Sequence, residues 1–146
     1  MRKIAAVESF FSPEHRETIE KTATECGFTV DYFSDGHLPA DQAADYEIIY
    51  GLCSPKDIKA AVNLRWLCCS FAGVDAYTSD DIYPHPDVLL SNSSGAYGVT
   101  ISEHIIMVTL MLLRQMPVFE QIVRERGWEK GLPMRSICGS SITVLG

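Results

Sequence analysis

The residues able to do chemistry are few, and their spacing excludes most of it. His15, His37, His85 and His104 are far apart, and none stands at a metal-ligand spacing from a cysteine or carboxylate. Glu103 and His104 are adjacent, but neighbours on a helix do not face each other. No metal site is therefore expected, and His104 reads as an interior or interface histidine. The 5 cysteines, Cys26, Cys53, Cys68, Cys69 and Cys138, are odd in number and contain no C-x-x-C pair. Cys68 and Cys69 would point to opposite faces of a strand, so reduced thiols in a cytoplasmic protein are the simplest reading.

Two loops carry more promise. Ala72-Gly73-Val74-Asp75 follows an apolar run, and a glycine there lets backbone N–H groups approach an anion. From position alone the plainer reading is a tight turn, with Asp75 capping a short helix. The small-residue loop from Asn92 to Gly98 offers Ser93, Ser94 and Tyr97 just before a helix N-terminus, which favours negative charge. It reads equally as a linker. The loop after the first strand, Glu8-Ser9-Phe10-Phe11-Ser12, lacks the glycines and threonines of a flavin-phosphate cradle. Tyr50-Gly51 stands where a phospho-acceptor domain would need an aspartate.

These loops need elements to hold them. Strands are predicted at Ile4-Ala5-Ala6-Val7, over 28–33, at Glu47-Ile48-Ile49-Tyr50, over 66–71 and at Val88-Leu89-Leu90-Ser91. Ser12-Pro13-Glu14 opens a helix by cap, proline and dipole-favoured acid, and Gly27 closes it. Ser54-Pro55 repeats the signal. Strands alternating with helices mean a parallel, doubly wound α/β sheet, and the apolar run Trp66-Leu67-Cys68-Cys69-Ser70-Phe71 suits one covered on both faces. Thr100 and Glu103 form a T-x-x-E capping box. A long helix follows, apolar nearly all round, kinked or divided by Pro117; that breadth suits a domain junction or subunit interface. Ser141-Ile142-Thr143-Val144-Leu145-Gly146 reads as one more strand reaching a glycine.

Composition bounds the rest. The chain has 146 residues, 47% hydrophobic and 21% charged, with a net charge of -7. That is ordinary globular composition with room for one core. The basic residues are too scattered to track phosphates, so no nucleic-acid partner is expected. No apolar run approaches the roughly twenty residues of a membrane span, and no signal core follows Met1-Arg2-Lys3.

Taken in order, Leu64-Arg65-Trp66-Leu67, Ser70-Phe71-Ala72-Gly73-Val74-Asp75, Asn92-Ser93-Ser94-Gly95-Ala96-Tyr97-Gly98 and Ile101-Ser102-Glu103-His104 resemble the NAD(P)-dependent D-isomer-specific 2-hydroxyacid dehydrogenases. Arg114, Trp128 and the run from Ile137 to Gly146 continue the likeness, which is strongest from Leu64 onward. The resemblance implies a flavodoxin-like substrate domain over 1–94. A linker, a dimerisation helix and the first strand of an incomplete Rossmann domain would occupy 95–146. Ala72 and Gly73 would hold the substrate carboxylate by backbone amides, Tyr97 would face the substrate, and Thr100 and Gly146 would contact the cofactor. The substrate would be a small 2-keto or 2-hydroxy acid and the cofactor NAD or NADP. A homodimer would form through residues 100–126.

The departures matter as much. Of the G-x-G-x-x-G pattern only the first glycine, Gly146, is in the sequence, and the acidic residue that would grip a ribose is absent. The family's catalytic Arg, Glu and His have no match, so no catalytic residue is assigned. The expectation is an N-terminal part of such an enzyme, inactive by itself and binding no cofactor. The alternative is a non-enzymatic dimerising or ligand-binding module derived from the family.

Overall fold

The computed structural model describes residues 2–145. The chain divides into two compact units, the first running up to Ala96 and the second starting at Tyr97. The division falls two residues later than the expected boundary.

The first unit is a five-stranded parallel sheet in the order β2-β1-β3-β4-β5. The strands are β1 (Arg2–Val7), β2 (Phe28–Tyr32), β3 (Ile48–Gly51), β4 (Trp66–Cys68) and β5 (Leu89–Ser91). Ala5, Ile49 and Leu67 lie in one register row and are wholly buried. With Ile58 of α2 (Pro55–Ala60), Leu38, Tyr46, Leu64 and Tyr77 they form the core on that face. The next residue on each strand points the opposite way, so Tyr32, Ala6, Tyr50, Cys68 and Ser91 share the other face. There α1 (Pro13–Glu25) covers β2: the Tyr32 hydroxyl donates to the Arg16 carbonyl at 3.4 Å, and the Arg16 guanidinium stacks 4.4 Å from its ring. Flanking helices on both faces make this the α/β parallel-sheet fold expected.

Both helix starts follow their sequence signals. Ser12 accepts from the His15 amide at 3.2 Å, and His15 Nδ1 accepts from the Ser12 amide at 3.4 Å, which closes a capping box with histidine in the usual Glu position. Gly27 ends α1 at φ 80°. Ser54 caps α2 by accepting from the Asp57 amide at 3.2 Å.

Three expectations need correction. First, β4 stops at Cys68 and does not run to residue 71. Its partner β5 ends at Ser91, and beyond it the Ser93 amide and hydroxyl take the Phe71 and Cys69 carbonyls at 3.1 and 3.3 Å, so a loop replaces the ladder. Second, Thr100 is not a helix cap. Helix α3 (Gly98–Leu113) starts two residues earlier with Tyr97 as cap residue, and Thr100 Oγ1 donates back to the Tyr97 carbonyl at 3.1 Å. Third, residues 141–145 form no strand. Ile142, Val144 and Leu145 are 60%, 61% and 91% exposed, and a strand with no neighbour to satisfy its amides does not persist.

The second unit holds α3 and α4 (Met116–Arg124), bent by 62°. The break precedes Pro117. Gln115 takes a left-handed conformation at φ 57°, and Pro117 then sits in the first turn of α4, where its missing N–H is harmless. Among the described residues, no single helix is long and apolar enough to cross a membrane.

Candidate functional site

Because all five strands run one way, the loops after them gather at one edge. In open α/β sheets that edge binds ligands, most often where the strand order reverses. Here the reversal lies between β1 and β3. Val7 and Gly51 are partners at that point, and the Leu52 amide donates to the Val7 carbonyl at 3.3 Å. Gly51 adopts φ 117°; a Cβ on it would collide with the Val7 carbonyl and sit 2.8 Å from Glu8 Cγ. Glycine is thus required where β1 and β3 end. The Glu8 side chain passes over it and accepts a hydrogen bond from Ser70 Oγ on the loop after β4. The loops of β1 and β4 are tied across the intervening end of β3.

The loop after β4 is tied on its other side as well. Asn92 Nδ2 donates to the Ala72 carbonyl at 2.6 Å, beside the two Ser93 bonds already described. The loop is therefore fixed by its carbonyls. Ala72 and Gly73 are exposed, and among the described residues their amides donate to no protein group. A Cβ built on Gly73 would meet open space, so nothing within the chain demands glycine there. Two neighbouring unpartnered N–H groups beside open space are what a carboxylate needs. Asp75 caps nothing: it begins a short 3-10 turn, Asp75–Tyr77, whose cap residue is Val74.

The same architecture occurs in solved structures. A D-isomer specific 2-hydroxyacid dehydrogenase family protein from Aeromonas salmonicida subsp. salmonicida A449 superposes with a TM-score of 0.69 at 21% identity, covering 91% of this chain and 42% of that one. A probable 2-hydroxyacid dehydrogenase from Rhizobium etli CFN 42, in complex with NADP, HEPES and L(+)-tartaric acid, gives 0.57 at 24% identity, covering 91% and 42%. Phosphoglycerate dehydrogenase from Lactobacillus plantarum gives 0.50 at 19%, covering 92% and 43%. The chain has the fold of these dehydrogenases. It spans about two-fifths of their length. No protein-family model and no curated protein matches the sequence.

The structure brings some of the expected site residues together. Ala72 and Gly73 are adjacent in the dehydrogenase-like first unit. Tyr97 and Thr100 share the first turn of α3 in the second unit, where Tyr97 is 46% exposed and the Thr100 hydroxyl is spent on the Tyr97 carbonyl. Gly146 lies outside the described residues.

Reasoning from motifs passed over Glu8, Phe10, Leu52 and Ser70. The first three flank the switch point, and only the strand order, with β3 rather than β2 beside β1 on that side, marks them. A depression of about 300 Å³ lies nearby, walled by Leu38, Leu52, Cys53 and Tyr77 with His37 and Asp57. A larger one, about 690 Å³, lies between Tyr77 and Leu90, and no expected site residue lines it. Among the described residues no three His, Cys, Asp or Glu side chains are placed to hold a metal. Cys53 is no nucleophile: burial, and then the Asp57 carboxylate, push its thiol up to about 12.

Proposed function

We propose that this chain is the substrate-domain part of an NAD(P)-dependent D-2-hydroxyacid dehydrogenase, with the loop at Ala72 and Gly73 holding the carboxylate of a small 2-keto or 2-hydroxy acid. The observation that carries this reading is the pair of exposed, unpartnered amides at Ala72 and Gly73, braced by Asn92 and Ser93 at the binding edge of the sheet. The resemblance of the surrounding segments and the fold shared with three dehydrogenase structures, one holding NADP, support it. The bound cofactor would supply the hydride in the full enzyme. This chain's own part is to bind and orient the acid.

The test is an amide NMR titration of the chain with pyruvate. The Ala72 and Gly73 resonances should move first and saturate together. Shifts confined to other residues would overturn the assignment.

A second reading is favoured by one feature of the second unit. None of the 16 residues of α3 is buried, and Val99, Ile101, Ile106 and Leu112 are each more than half exposed. So much apolar surface on one helix calls for a partner. A second copy of the chain, paired through residues 100–126, would supply it whether or not the protein is an enzyme. Light scattering across a concentration series would show a dimer mass; a monomer at every concentration would remove this reading.

A further inference from the structure

We propose that the rim around the switch point selects 2-keto acids with an uncharged, apolar side chain and excludes those with a second negative charge. The inference rests on the reading of Ala72 and Gly73 as the carboxylate loop. That loop provides for one anionic group. What lies beside it determines what the rest of the substrate meets.

Two features of the neighbouring loops carry the argument. The first is apolar surface left open on the loops that follow β1 and β3: Phe10 is 56% exposed and Leu52 is 54% exposed. Phe10 is backed by an aromatic stack, with Phe11 at 5.3 Å between ring centroids and Tyr50 a further 5.6 Å from Phe11. A substrate's aliphatic or phenyl group docked on Leu52 or on Phe10 would remove that side chain from water.

The second feature is charge. Residues 8–12, 52–54, 69–74 and 92–96, which follow β1, β3, β4 and β5, contain no lysine, arginine or histidine. On the loop after β2, His37 lines the same depression as Leu52 and the Asp57 carboxylate. The Glu8 carboxylate, by contrast, is held over Gly51 by Ser70, immediately beside the carboxylate loop. A second carboxylate or a phosphate on the substrate would meet Glu8, and these four loops hold no cation to offset it. A side chain with no charge meets no such penalty.

Calorimetric titration of the full chain with four acids tests this. The probes are 4-methyl-2-oxopentanoate and phenylpyruvate for the apolar class, pyruvate as the minimal acid, and 2-oxoglutarate as the dianion. The two apolar acids should bind about tenfold more tightly than pyruvate, with 2-oxoglutarate weakest. Leu52→Ser should erase most of the advantage over pyruvate. Glu8→Gln should raise 2-oxoglutarate affinity roughly fivefold relative to that of the apolar acids. Amide spectra of both variants confirm that each is folded. If 2-oxoglutarate or pyruvate binds as tightly as the apolar acids, the selectivity is refuted and the carboxylate loop stands. If none of the four binds, the reading of the loop falls and the inference falls with it.

Discussion

At the scale of single residues, polar side chains at the rim of the sheet are paired, and their chemistry follows from the pairing. Glu47 accepts three hydrogen bonds from Arg2, the shortest 2.9 Å, and Arg65 stands 3.8 Å away. The Arg2 hydrogen bonds hold the Glu47 carboxyl below its ordinary value of 4.5. A carboxyl lowered in the folded state stabilises the fold above its unfolded value, and that contribution is lost as pH falls through the folded one. Glu47→Gln should therefore lower the urea midpoint at neutral pH, and the gap to the parent should narrow as pH falls below the ordinary carboxyl value of 4.5. An equal gap at neutral and acid pH would argue that the carboxylate's charge plays no part. The thiols divide by burial. Cys26 and Cys138 are exposed, whereas burial raises both Cys53 and Cys69 above the ordinary thiol range. Iodoacetamide followed by mass spectrometry should label Cys26 and Cys138 in the native protein, and Cys53 and Cys69 only once urea unfolds it.

At the scale of elements, local signals succeeded where the chain's own neighbours complete the interaction. Ser12-Pro13 and Ser54-Pro55 each supply a hydroxyl to an amide three residues on, and both helices begin where those residues stand. Thr100 also offered a cap hydroxyl, in a T-x-x-E pattern, with a different outcome. Its backbone is already helical, so its hydroxyl turned back to a carbonyl. The final segment failed for a related reason: alternating apolar residues make a strand only when another strand lies alongside. Gly51 is the opposite case, a residue that looks like an ordinary strand end and is fixed by a close approach. Gly51→Ala combines a left-handed φ with a backbone collision, so it should cost about 3 kcal/mol or more in urea unfolding. It should also disturb the Glu8–Ser70 tie. A neutral result would mean that β1 and β3 end more loosely than the register shows.

At the scale of the whole molecule, the first unit has a five-stranded sheet whose strand-end loops gather at one edge, and hydride transfer would need more than that edge. The carbonyl oxygen needs a proton donor beside the carboxylate loop, and no histidine stands on residues 69–75. With NADH and the same panel of 2-keto acids, the 146-residue chain should show binding and no turnover; sustained NADH oxidation by protein free of other dehydrogenases would refute this. The sequence by itself determined the α/β class, the two capped helices, the order of the strands along the chain and the loop at Ala72 and Gly73. Each of these depends on residue types within a few positions of one another: cap hydroxyls, prolines, short apolar runs, a glycine in a turn. Only the tertiary structure decided that β3 lies between β1 and β4, that Gly51 must therefore lack a side chain, and that Glu8 reaches Ser70 across it. Those facts join residues well separated along the chain, and lateral strand order is set by which apolar faces bury one another, a choice that no local window contains.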